Sequence, residues 1–162
     1  MTANEVEICV AKHFGWRQNI MVPNVSWGLG LRYEADMVIL RPSGWAIEIE
    51  IKVARADIGA DLKKHHSHNS KMFRQLWFAL PEEIADDLRI PQNAGILAMV
   101  KHTWKNASTR FVKVIRPAKL NPMARKLTES ENRKLLELGV MRIWSLKEHI
   151  ITMANRMSNP PR

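Results

Sequence analysis

The chain has 162 residues, 46% of them apolar, enough for one ordinary buried core, and a formal charge of +9. No run of about 18 consecutive apolar residues occurs, and Glu5 and Glu7 stand where a secretory signal would carry positive charge, which argues against a membrane span or export and for a cytoplasmic protein. Residues 1–100 hold 11 Lys and Arg against 12 Asp and Glu while residues 101–162 hold 14 against 4, a basic excess that attracts phosphate backbones through counterion release and makes nucleic acid the first partner to expect, with a plain solvated surface as the alternative.

Asn4 is read as the cap of a first helix running to about Phe14, because Val6, Cys9, Val10 and Phe14 fall at helical spacing and Gly15 follows as a stop. Cys9, the single cysteine, excludes an internal disulfide and reads as a small buried hydrophobe. A turn-rich stretch with Pro23, Asn24, Gly28 and Gly30 leads to a strand from Arg32 to Leu40, a turn at Pro42 to Gly44, and a strand from Trp45 to Val53, which together form an antiparallel hairpin. A helix from about Arg55 to His66 follows, then an apolar strand from Met72 to Leu80, a short helix from Glu82 to Leu88, and strands at Gly95 to Val100 and Arg110 to Ile115.

Two capping boxes, Thr128 with Glu131 and Ser145 with Glu148, predict two C-terminal helices, the first ended by Gly139. Trp77 and Trp144 sit in apolar patterns and are expected in the core, while Trp104, between Lys101 and Lys105, is open to a stacking role. The expected architecture is a single α/β domain over residues 1–162, with a mixed sheet flanked by helices in a core of about 1–117, a basic helical portion of about 118–157 and a flexible tail at 158–162.

Chemistry concentrates on the second strand of the hairpin. Ile47, Ile49 and Ile51 alternate with Glu48, Glu50 and Lys52, so two carboxylates and an amine share one face. Folding the hairpin sets Asp36 opposite residue 49 or 50, depending on register, and brings a third carboxylate to that row. Crowded carboxylates repel one another, and a hard divalent cation such as magnesium relieves the repulsion. The bland alternative is a half-exposed amphipathic strand whose Glu50 and Lys52 form a surface pair worth about 0 to 1 kcal/mol.

The order of these motifs resembles the split acid and E-x-K signature of the PD-(D/E)XK, restriction-endonuclease-like nucleases: Glu34-Ala35-Asp36 through Leu40, a turn, then Glu50-Ile51-Lys52. The continuation through Ala54-Arg55-Ala56-Asp57, Trp77 to Pro81 and Asn93 to Leu97 is similar to small bacterial and phage-borne proteins of that group, some of them associated with DNA repair. The resemblance covers roughly residues 32–100 and implies a restriction-endonuclease-like sheet and a metal-dependent endonuclease acting on DNA. It implies Asp36, Glu50 and Lys52 as catalytic, with magnesium, or manganese in its place, on Asp36, Glu50 and the Ile51 carbonyl; Glu48, on the same face as Glu50, is either a further ligand or, the reading preferred, merely the outermost polar residue of the strand. Ala35 replaces the proline of the motif, as in other members of the group.

The first helix is a place from which some of these proteins supply a further carboxylate; Glu5 is the residue considered, against its ordinary stabilisation near a helix N-terminus. Lys63, Lys64 and His65 at the basic end of the helix after E-x-K, together with Lys101 and Lys105, are the candidate nucleic-acid contacts. The expected partner is DNA rather than a membrane, and a homodimer suits cleavage of both strands of a duplex. The rival reading is a nucleic-acid-binding module without turnover, or a subunit of a DNA-processing complex.

Overall fold

The computed structural model describes residues 1–61, 70–104 and 107–158. Helix α1 (Ala3–Phe14) begins two residues earlier than an Asn4 cap would have it. Thr2 is the cap: its hydroxyl accepts from the Glu5 backbone N–H at 3.3 Å and its own N–H donates to the Glu5 carboxylate at 2.9 Å. Thr2 and Glu5 thus form a capping box, which outcompetes a lone Asn. Gly15 stops the helix in the left-handed region at φ 76°, where a side chain would be strained.

Strands β1 (Ile20–Val25), β2 (Ala35–Leu40), β3 (Ala46–Ile51), β4 (Phe73–Pro81), β5 (Gly95–Trp104) and β6 (Ala107–Arg116) form a six-stranded sheet in sequence order. The β1/β2, β2/β3 and β5/β6 pairs are antiparallel and the β3/β4 and β4/β5 pairs parallel, so the α/β class with a mixed sheet between helices holds. β1 was not expected. It is an edge strand, where a proline such as Pro23 is tolerated, and Asn24 at φ 51° interrupts its pairing. Between β3 and β4 lies helix α2 (Arg55–Asp61), and the helix expected after β4 is a single 3-10 turn at Glu82–Ile84.

On one face of the sheet, α1 lays Val6 and Val10 over Met37, Ile39, Ile47, Ile49, Trp77 and Leu97, with Cys9 partly buried beside them. The opposite face carries two apolar clusters. One joins Val22, Val38, Leu40 and Phe73 to Leu135 and Leu138; the other joins Leu76, Phe78, Leu80 and Ile96 to Ile58 and Ile90. Gly95 lies opposite Trp77 in the ladder, and a Cβ there would fall 2.2 Å from the indole ring.

The C-terminal region corrects the sequence reading. A single helix, α3 (Glu129–Ser158), replaces the expected pair. The Thr128 box is real, with the Thr128 N–H donating to Glu131 at 2.8 Å and the Thr128 hydroxyl accepting from the Glu131 N–H at 3.3 Å. Gly139 does not end the helix; a Cβ there would stand 3.2 Å from Val22, so the glycine lets α3 approach β1 closely. Ser145 and Glu148 therefore lie within a helix rather than at its start. Trp144 is 63% exposed rather than core, with the Lys147 ammonium 4.9 Å from its ring centroid. Among the described residues no helix is long and apolar enough to cross a membrane.

Candidate active site

The register settles which residues meet. Met37 pairs with Ile49 and Val38 with Glu48, so the next step along the hairpin sets Asp36 opposite Glu50. The alternation along β3 then puts its isoleucines under α1 and its glutamates on the other face, between the two apolar clusters. Glu48 is 0% exposed, Glu50 4% and Lys52 6%. This is not a half-exposed amphipathic strand: every residue from Ala46 to Glu50 is buried, and the plain surface-pair reading fails on that observation.

Main-chain bonds hold the row in place. The Asp36 carboxylate accepts from the Ile51 N–H at 2.7 Å, tying the start of β2 to the end of β3. The Lys52 N–H donates to the Ala79 carbonyl at 3.0 Å, extending the parallel ladder beyond β3. The Lys52 ammonium then turns back onto the Glu50 carboxylate at 2.9 Å. Asp36, Glu50, the Ile51 backbone and Lys52 converge at the carboxyl ends of β3 and β4, the position where open α/β sheets bind ligands.

The structure adds two groups that sequence reasoning missed. Burial first, and the charge of Asp36 second, raise the pKa of the half-buried Glu7 on α1 above the ordinary carboxylate range. Glu7, not Glu5, is the α1 carboxylate that feels the site, because Glu5 is spent on the Thr2 box and on Arg110 at 2.8 Å. The position of Glu7 beside Val6, on the helix face turned towards the sheet, was the signal available. The Tyr33 phenol is the other group. Its pKa is pushed up by burial first and then by the charges of Glu48 and Glu50. Tyr33 therefore stands close enough to these glutamates for their charge to act on it. A tyrosine three residues ahead of a strand acid carries no recognisable motif.

Among the described residues no three His, Cys, Asp or Glu side chains stand together as a ready metal cluster. The donor set nevertheless suits magnesium, which takes one or two carboxylates and keeps several waters. Asp36, Glu50 and the Ile51 carbonyl meet that requirement. Asp57 has a structural task, accepting from the Val53 and Ala54 N–H groups at 3.2 and 2.9 Å ahead of α2. Of the expected nucleic-acid contacts, Lys101 is exposed on β5; Lys63, Lys64, His65 and Lys105 lie outside the described residues, as does the side chain of Trp104.

No family model matches the sequence, and no curated protein matches it. A solved structure, the SPO1766 protein of unknown function from Silicibacter pomeroyi, is similar over 99% of this chain and 94% of its own, at 19% identity and a TM-score of 0.60. That similarity establishes a shared fold.

Proposed function

We propose that the chain is a magnesium-dependent endonuclease of the PD-(D/E)XK, restriction-endonuclease-like group, acting on DNA in the cytoplasm in a repair, recombination or mobile-element setting. The observation that carries this reading is the meeting of the half-buried Asp36 with the buried Glu50 and Lys52 at the end of β3, with Asp36 fixed by the Ile51 N–H at 2.7 Å and Lys52 held on Glu50 at 2.9 Å. Burying two carboxylates and an ammonium is costly to a fold, and groups kept at that cost with specific charge partners are candidates for function.

Asp36, Glu50 and the Ile51 carbonyl would hold the metal. When bound, magnesium supplies Lewis-acid polarisation of the phosphodiester and a more acidic water. The chain's own groups do the positioning. Lys52 presents a fixed positive charge beside Glu50, suited to orienting the attacking water or a phosphate oxygen. The basic C-terminal third supplies the long-range attraction for the polyanion.

The test is cleavage of labelled duplex, single-stranded and branched DNA with magnesium, manganese or EDTA, comparing wild type with Asp36→Ala and Lys52→Ala. Metal-dependent products lost in both variants are expected. Absence of cleavage on every substrate, with DNA binding intact in all three proteins, would replace this reading with that of a binding module without turnover.

A further inference from the structure

The free half of α3 combines a periodic apolar seam with exposure that the fold leaves uncovered. Every residue from 143 to 158 is exposed. Within that span Ile143, Leu146, Ile150, Met153 and Met157 recur at alternating steps of three and four, and each is at least half exposed. Such a strict seven-residue repeat is the pattern of a helix that packs along another helix, whereas a straight helix lying on a flat surface follows a 3.6-residue period. The seam also runs back into the body of the molecule. Leu136, Gly139, Ile143 and Leu146 form the α3 wall of a groove of about 680 Å³, whose other walls are α1 and edge strand β1. The track is therefore continuous, from a groove on the domain to the far end of α3.

Charge selects among helical partners. Arg142 and Arg156 stand on one border of the seam with His149 midway between them at seven-residue spacing, Arg142 also donating to the Asn24 carbonyl of β1, and Lys147 flanks the other border. The acid of this half, Glu148, falls on the side away from the seam. Two copies joined through the seam would bring like charges together in either sense: the Arg142 to Arg156 row would face itself when antiparallel, and Arg142 would face Lys147 when parallel. We infer that this track is a docking site for an α-helix of another protein, apolar along one stripe and bordered by Asp or Glu. The inference does not rest on the nuclease reading.

The experiment titrates the full chain calorimetrically with two synthetic amphipathic helices of equal length, both with Leu along the stripe, one bordered by Glu and the other by Lys. The Glu-bordered helix is expected to bind, and the Lys-bordered helix to bind at least about tenfold more weakly. Ile150→Asp with Met153→Asp, at exposed positions that leave the melting transition unchanged, removes binding, and Arg156→Glu narrows the preference. Failure of the Glu-bordered helix to bind, or equal affinity for both, overturns the proposal. So does a concentration-dependent dimer abolished by the double variant, which would make the occupant a second copy. Adsorption to phosphatidylserine vesicles, abolished in the same variant, would likewise overturn it in favour of a lipid surface.

Discussion

The row on β3 and the free half of α3 break the usual partition of side chains in opposite directions. On β3 and just past its end, two glutamates and a lysine are shut away from water; on α3, Ile150, Ile151, Met153 and Met157 are left in it. A buried charge and an exposed apolar stripe are the informative exceptions to the rule of apolar groups inside. They differ in what the fold feels. The buried row is wired into the sheet through Ile51 and Ala79, so disturbing it disturbs folding. The far end of the α3 stripe, from Ile150 to Met157, is at least half exposed.

The largest effect expected from this contrast is at Lys52. Lys52→Ala removes the ammonium from the buried Glu50 carboxylate and should lower stability by about 3–5 kcal/mol in urea unfolding. Restoring apolar packing with Glu50→Leu and Lys52→Met together should recover most of that loss. A double variant as unstable as the single one would show that the row is held by something other than this pair. Next comes Gly95→Ala: the new methyl meets Trp77 within the sheet, and a cost of about 1–3 kcal/mol is expected, read as a drop in melting temperature and altered Trp fluorescence.

A smaller effect belongs to the start of α3. A hydrogen bond from Arg125 is the main cause that holds the Glu131 carboxyl down to about 2. Its folded value lies below the ordinary 4.5, so its contribution is complete above that value and is lost as pH falls towards about 2. Glu131→Gln should cost about 1 kcal/mol at neutral pH, and the gap from wild type should close in acid. Glu7 has the opposite sign. Its folded pKa is raised, so the fold binds that proton more tightly than the unfolded chain does, and stability is lost as pH climbs above the ordinary carboxylate value. Glu7→Gln should therefore stabilise the metal-free protein slightly at neutral pH. If it destabilises instead, Glu7 is held by an attraction and not crowded by Asp36. The smallest change is Ile150→Asp, expected within about 0.5 kcal/mol of wild type in urea unfolding.

How much of this could be read from sequence follows from how local each signal was. The β2/β3 hairpin was legible because strict alternation, a Pro-Ser-Gly turn and a single register choice all act within 20 or so residues of one another. The position of Asp36 opposite residue 49 or 50 followed from that, and the structure selects Glu50. The full burial of the row was not legible, since Glu48 and Glu50 are covered by segments remote in sequence. β1 was hidden by Pro23 and Asn24, turn-formers that an edge strand tolerates. Gly139 carried two meanings, helix stop and close approach, and only the position of Val22 decides between them. A glycine taken as a helix stop makes Ser145 with Glu148 resemble a new helix start, although the apolar repeat continues unbroken through both.

The Lys52 N–H bond to the Ala79 carbonyl has a consequence for how the protein comes into being. The hairpin carrying Asp36 and Glu50 closes over a short stretch of chain, whereas β3 must wait for β4 before its parallel ladder forms, and non-local pairings of that kind are slow. During synthesis the acids would leave the ribosome well before the strand that fixes the lysine beside them. The nascent chain would therefore carry the ingredients of the row without its geometry, and any reactivity would be switched on by completion of the sheet.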